Sequence, residues 1–405
     1  MNNQNKTLSS ITFFNSTSDW IIFFSLMATM ALATKNIFLA AYGISIKSLG
    51  LALGAFIFPY LGNRIKLKSL IKISLLINSL TILLYIFPVF FFESTEVILF
   101  LMLLQSITGQ IFSVARESLS KTLGSNSDQR SLQNQILSSF FSAQIVGPLL
   151  GFSIGIYGNM SLAILVSFGA NFIALYKSLS IDLDYQFTKV SIFKPFSYLT
   201  LRSSLTHIFI MRAVLYWIPV GMFNFLLFPF IEKQFHLSGI YTAWVYILTG
   251  CGSIFASFIF YDLNLNNKFL NLINSIFTRF KNSFNNKDNE LACIALITLG
   301  LSRFIITLPT SYFLIIFMFF TAGISNGLNA VTTQTIRRKL CSNEQHPEII
   351  SLEVIVGRFT DWLVGSLCLY VFMNNYLTFQ TGMYISGALL ILFGLLMKLK
   401  TFEIE

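Results

Sequence analysis

Long apolar runs, each closed off by a few polar or charged residues, recur from one end of the chain to the other. Within a run the apolar residues are continuous and do not alternate, which points to helices in an apolar medium and not to barrel strands. Twelve runs are predicted as helices, over 12–34, 36–61, 69–91, 95–119, 131–156, 160–180, 205–230, 238–262, 289–308, 311–336, 348–373 and 378–397. A hydrocarbon core of about 30 Å takes roughly 20 residues of helix, so each run can span it. A polar stretch from Asp182 to Ser204 falls between the sixth run and the seventh. It divides the chain into an N-terminal six-helix bundle (1–181), a linker (182–204) and a C-terminal six-helix bundle (205–405). A second polar interval, 263–288, carries Phe269, Leu272, Ile273 and Ile276 at helical spacing. Two readings stay open for it: a basic amphipathic helix lying on lipid headgroups, or an Asn-rich loop.

Composition fixes the solvent. The 405 residues are 55% hydrophobic and 11% charged, where a soluble domain carries about 25% charge. The 44 Phe suit a surface in contact with lipid. The net charge of +10 raises the question of nucleic acid, and its distribution answers it. Most basic residues sit in connections on one side: Arg64, Lys66, Lys68 and Lys72; Lys121 and Arg130; Lys189, Lys194 and Arg202; Arg337, Arg338 and Lys339. The opposite connections offer Lys35 and Lys233 beside Glu93, Glu96 and Glu232. This asymmetry is an orientation signal. It places both termini and the 182–204 linker in the cytoplasm, and the first apolar run is expected to be a retained helix. Asn-, Ile- and Lys-rich usage suggests a bacterial cytoplasmic membrane. Cys251, Cys293, Cys341 and Cys368 show no metal-ligand spacing and are expected to be packing residues. His207, His236 and His346 are scattered, with no HExxH or paired-Asp motif. The expectations are therefore no enzyme, no cofactor, no metal and no nucleic-acid partner. No filter-like loop suggests a channel.

An internal repeat organises the runs. Ser118 to Gln129, leaving the fourth helix, matches Thr335 to His346, leaving the tenth, with Leu123 facing Leu340, Ser125 facing Ser342 and Asn126 facing Asn343. A match at equivalent places in two sets of six is what duplication produces. The connection Pro59-Tyr60-Leu61-Gly62-Asn63-Arg64-Ile65-Lys66-Leu67-Lys68 resembles the Gly-x-x-x-Asp-Arg-x-Gly-Arg-Arg/Lys loop of the major facilitator superfamily. Arg64 and Lys68 match; Asn63 replaces the usual Asp, and Pro59 and Lys66 replace Gly. In that family the loop makes charged contacts between helices in one gating state, a relay weakened here by loss of the acid. Gly147-Pro148-Leu149-Leu150-Gly151 in the fifth helix resembles the Gly-Pro-x-x-Gly element of proton-coupled antiporters of the superfamily. Its alternative is a glycine face for close helix approach with no bearing on direction. With Asp19 in the first helix, these segments look like the drug and siderophore exporter branch. The resemblance implies an all-α membrane protein of twelve helices in two pseudo-symmetric six-helix bundles.

Ionisable groups at membrane depth cost about 2.5–3.5 kcal/mol on insertion scales, so they face a cavity or a partner. In the eleventh helix Glu353, Gly357 and Asp361 share a face, and Arg358 reaches Asp361 at i+3. Asp19, Glu353, Arg358 and Asp361 are the candidates for proton coupling, with a static ion pair as the alternative. Lys47, Arg116, Arg212 and Arg303, with Tyr216, Trp217 and Trp362, are candidates for a substrate cavity. For the cations the alternative is snorkelling to the interface, and for the aromatics simple packing. Asn63, Arg64 and Lys68 are the candidate gating loop. Cations outnumber acids inside the membrane, which favours an anionic or zwitterionic cargo such as a carboxylate siderophore.

The expected function is proton-coupled export of a small amphipathic molecule by a monomer using alternating access, with import of a siderophore or similar metabolite as the alternative. Reporter fusions test the topology. A fusion within 182–204 is expected to be active only as a cytoplasmic reporter, and periplasmic alkaline phosphatase activity there reverses the assignment.

Overall fold

The computed structural model describes residues 3–34, 37–89, 94–123, 129–157, 159–182, 185–186, 209–235, 242–259, 288–308, 312–374 and 376–399. The interval 263–287 and most of the 182–204 linker lie outside them. Among the described residues all regular structure is helical. The helices are α1 (Asn3–Thr34), α2 (Ile37–Gly62), α3 (Leu67–Leu84), α4 (Thr95–Thr122), α5 (Gln129–Ile156) and α6 (Met160–Ser178). They continue as α7 (Trp217–Phe235), α8 (Thr242–Ile259), α9 (Asp288–Ile306), α10 (Tyr312–Leu340), α11 (Gln345–Met373) and α12 (Phe379–Leu399). Nine of these are long and apolar enough to cross a membrane, and α7 and α8 contribute shorter apolar segments. The chain is a multi-pass membrane protein.

Local chemistry sets several boundaries. Ser94 caps α4 by accepting from the Val97 amide at 3.4 Å, and Asn159 caps α6 by accepting from Leu162 at 3.0 Å. The third helix, expected to run to residue 91, is interrupted after Leu84, because Pro88 lacks the N–H that would bond the Leu84 carbonyl; helical turns resume over 86–89. The seventh helix, expected over 205–230, is not uniform. A π-helical turn, Ile210–Leu215, precedes α7, because Pro219 cannot donate to the Leu215 carbonyl and the ladder slips. A polar start extends α1, and a basic end extends α10, past the expected apolar runs.

The same neighbour pattern occurs twice. In the first set α1 packs on α5 and α6, α2 on α4, and α3 on α4 and α6. In the second, α7 packs on α11 and α12, α8 on α10, and α9 on α10 and α12. The two halves meet through α2 against α11 and α5 against α8, which are equivalent pairs under that repeat. Large apolar side chains cover the outside, among them Phe56, Leu80, Phe100, Leu165, Phe313 and Phe317. Exposed tyrosines sit near helix ends (Tyr60, Tyr157, Tyr176, Tyr312, Tyr376), where a ring with one polar tip suits the interface. We call the side on which α1 begins proximal and the other side distal.

Close helix approach depends on glycine. The face of Gly147, Gly151 and Gly155 lies against α1: a Cβ at Gly151 would come within 2.6 Å of the Ile21 carbonyl, and one at Gly155 within 2.7 Å of the Ala28 Cβ. The Gly-Pro-x-x-Gly segment is thus a packing face, with Pro148 buried in an unbroken α5. In the other half, a Cβ at Gly323 would meet the Thr249 backbone at 2.7 Å. Backbone cannot yield as a side chain can, so Gly323→Ala is expected to cost about 1–3 kcal/mol through overpacking. Gly169→Ala, where nothing lies within 4 Å, is the control. Thermal unfolding in detergent should show a lowered midpoint for the first and none for the second.

Candidate functional site

A cavity of about 520 Å³ lies between the halves, lined from both. Its ionisable lining groups are Asp19, Lys47, Arg116 and Glu117 from the first half and Arg212, Arg303, Arg337, Glu353, Arg358 and Asp361 from the second. Tyr216, Trp217 and Phe223 also line it. Trp362 does not. One residue beyond Asp361, it is turned about 100° round the helix and packs on the exposed ring of Phe359, 5.2 Å between centroids.

The acids are all engaged. Asp19 of α1 sits in a cage of amides, accepting from Gln105 at 3.0 Å, Asn78 at 3.2 Å and Asn15 at 3.4 Å. Gln105 is itself fixed by the Tyr85 hydroxyl at 3.0 Å. Asp361 pairs with Arg358 at 3.4 Å, as the i+3 spacing predicts, and accepts from Ser48 of α2 at 2.5 Å. This second bond crosses between the halves. Arg358 also lies over the Trp217 ring at 4.0 Å, and Gly357 leaves the notch that admits the indole. Glu353 does not join Asp361. Eight residues of helix are about 12 Å, too far for one ion pair, and Glu353 bonds Arg212 and, at 2.7 Å, Arg337.

The four cations named as cavity candidates, for which snorkelling was the alternative, all line the cavity. Lys47 stands over Trp20 and Phe23, 4.6 and 4.4 Å from their centroids. Arg303 is 4% exposed; it donates to the Pro219 carbonyl at 2.7 Å, bonds Ser386 and covers Phe223 at 4.4 Å. Arg116 reaches Thr12 at 3.3 Å and Ser113 at 3.4 Å. Arg212 bonds Thr333 as well as Glu353. Tyr216 donates to Asn326 at 2.9 Å.

Sequence reasoning missed the proximal closure. Arg337 and Arg338 count in the sequence as basic residues of a cytoplasmic-side connection, yet Arg338 is 1% exposed. It bonds Glu117 at 3.0 Å and Ser120 at 2.5 Å, both on α4, while Arg337 reaches Glu117 at 3.4 Å. Lys121 of α4 donates to the carbonyls of Arg338, at 2.7 Å, and Cys341. His346 is wholly buried 4.0 Å from Glu117. The two repeat segments thus clasp each other. The expected gating loop contributes differently. Arg64, in the turn after α2, stacks on Tyr60 of that helix at 4.1 Å, and the Asn63 carbonyl accepts from Gln186 at 3.3 Å. Lys68 lies half-buried in the first turn of α3.

Among the described residues, twelve α-helices form two equivalent sets around a central cavity, which is the fold of the major facilitator transporters. A solved structure of the human organic anion transporter MFSD10 (TETRAN) matches with a TM-score of 0.70 at 12% identity, over 98% of this chain and 100% of that one. A POT family transporter in complex with a thioalcohol-conjugated peptide matches with a TM-score of 0.75 at 12% identity, over 98% and 95%. A mutant peptide transporter POT in complex with alafosfalin gives 0.71 at 13%, over 97% and 93%. No protein-family model matches the chain, and no curated protein sequence is similar to it. At these identities the likeness establishes the fold.

Removing one partner of a buried charge pair costs about 3–5 kcal/mol. Glu117→Gln is therefore expected to loosen the proximal closure. In a chain with its four native cysteines replaced by serine, Ser113→Cys should react several-fold faster with an impermeant maleimide added from the proximal side once Glu117 is neutralised. An unchanged rate removes the gating role.

Proposed function

We propose that the protein is a secondary active transporter of the bacterial cytoplasmic membrane, exporting a small amphipathic anionic or zwitterionic molecule, siderophore- or drug-like, in exchange for protons. It works as a monomer by rocking halves 1–181 and 205–405, joined by a cytoplasmic linker, about the central cavity. One observation carries this reading: a cavity lined by ionisable groups of both halves, with half-to-half contacts on either side of it. The Glu117–Arg338 clasp supports a proximal gate, and the Ser48–Asp361 bond a distal one. That the solved neighbours are named as transporters of organic anions and peptides accords with a small-molecule cargo.

Proton coupling is assigned to Asp361, with Arg358 as its exchangeable partner and Asp19 as a second carboxylate within the same cavity. When cargo draws Arg358 away, Asp361 takes a proton and its bond to α2 changes character. Glu353, held by two arginines, serves the proximal closure. Lys47, Arg116, Arg212 and Arg303, with Tyr216 and Trp217, meet the cargo.

The test is accumulation of candidate siderophores or drugs in inside-out vesicles with an imposed proton gradient. Export coupled to protons predicts gradient-dependent uptake into these vesicles and at least a tenfold loss in Asp361→Asn. Accumulation indifferent to the gradient removes the coupling, and gradient-driven movement only in right-side-out vesicles reverses the direction to import.

A further inference from the structure

The signs of charge in the cavity are unequally satisfied. Each lining carboxylate already has its partners: Asp361 has Arg358 and Ser48, Glu353 has Arg212 and Arg337, Glu117 has Arg337 and Arg338, and Asp19 has three amides. Three cations differ. Lys47, Arg116 and Arg303 have no described carboxylate within 4.0 Å; rings, hydroxyls and one backbone carbonyl hold them. Asp19 acts on Lys47 only from beyond that distance. Arg303 is 4% exposed, and its Nε, like that of Arg116, has no hydrogen-bond partner.

Their positions matter as much as their number. Lys47 belongs to α2 of the first half and Arg303 to α9 of the second, and both line the one cavity. Lys47 also lies within electrostatic reach of Arg358, a cation of the opposite half. Like charges facing each other across a closing cleft oppose closure, and a charge enclosed without a counterion is strongly disfavoured. A single acidic group can meet the cation of one half and leaves the other unmet. Two acidic groups on one molecule meet both, and turn repulsion between the halves into a bridge.

We infer that the cargo carries at least two separated acidic groups, one bound by Arg303 beside Tyr216 and Asn326 in the second half, the other by Lys47 over Trp20 and Phe23 in the first. This rests on the reading of the cavity as a transport site and narrows its chemistry from an anion or zwitterion to an organic polyacid. Such a cargo is also the condition for closing. A monoacid binds but leaves a cationic pole exposed between the halves, so specificity is set by the number and spacing of acidic groups. A volume of about 520 Å³ is that of a pocket for a drug-sized molecule, enough for two such groups and the skeleton between them.

The experiment compares butyrate, succinate, suberate and citrate as probes on the full-length protein in nanodiscs at matched ionic strength, reading thermal stabilisation and titrated affinity. At least one of the polyacids is expected to bind tenfold or more tighter than butyrate. Lys47→Gln should abolish that advantage, bringing the polyacid to within about threefold of butyrate, since a tenfold preference corresponds to about 1.4 kcal/mol for the second contact. Arg303→Gln should do the same, and Arg303→Lys should restore most of it. Because Arg303 is buried, Lys47→Gln, which alters a cavity-facing side chain, decides between the outcomes if Arg303→Gln is not monodisperse. Equal binding of butyrate and all the polyacids overturns the inference, as does a polyacid preference that survives Lys47→Gln, or the absence of binding by every polyacid. Proton-driven accumulation of a monoacid or a cation in the vesicle assay would leave transport standing and sink this inference alone. Polyacid binding without gradient-driven transport would do the reverse.

Discussion

A charge enclosed between helices in hydrocarbon has to be answered by another charge or by directed hydrogen bonds, because water is not there to answer it. That constraint arranges the interior of this protein. The outward surface is apolar, and the ionisable groups are drawn to the cavity and to the proximal contact of α4, α10 and α11. Each contact is a chain of partners and not an isolated pair. Glu117 answers two arginines, Arg337 answers two glutamates, and Arg212 completes the set from the π-helical turn before α7. Moving any one element therefore exposes charge on several others.

Such networks need helices held at fixed, short separations. Glycine at the α1–α5 and α8–α10 crossings supplies them, by allowing backbone to approach backbone. The same device operates at α11, where Gly357 admits the Trp217 indole and so places an aromatic face under Arg358. Packing and electrostatics are thus one arrangement: the small residue fixes the distance at which the charged one finds its partner.

The number and approximate extent of the helices were legible in the sequence because the membrane imposes a length on every apolar run. The Arg358–Asp361 pair was legible because i+3 neighbours on one helix need no tertiary knowledge. The burial of Arg337 and Arg338 was not. A basic cluster at a helix end ordinarily faces headgroups, and nothing local distinguishes one that α10 carries under α4 by continuing to Leu340. Lys47 and Arg303 looked able to reach the interface; the rings beneath them, from Trp20, Phe23 and Phe223, belong to other helices. Trp362 failed for a rotational reason, since one position along a helix separates the cavity from lipid. The glycines of the fifth helix suggested direction of transport, and in the structure they account for contact with α1.

Lys121 and Arg338 occupy equivalent positions in the two repeat segments, in the same register that matches Leu123 with Leu340. Each reaches toward the other's helix: the ammonium to the Arg338 carbonyl of α10 and the Cys341 carbonyl just beyond it, the guanidinium to Glu117 and Ser120 of α4. Reciprocal contact between equivalent positions is the geometry of a twofold dimer interface, here enclosed within a single polypeptide. Because both reaches span the same two helix ends, drawing α4 from α10 strains them at once, and the proximal face should part in one concerted step.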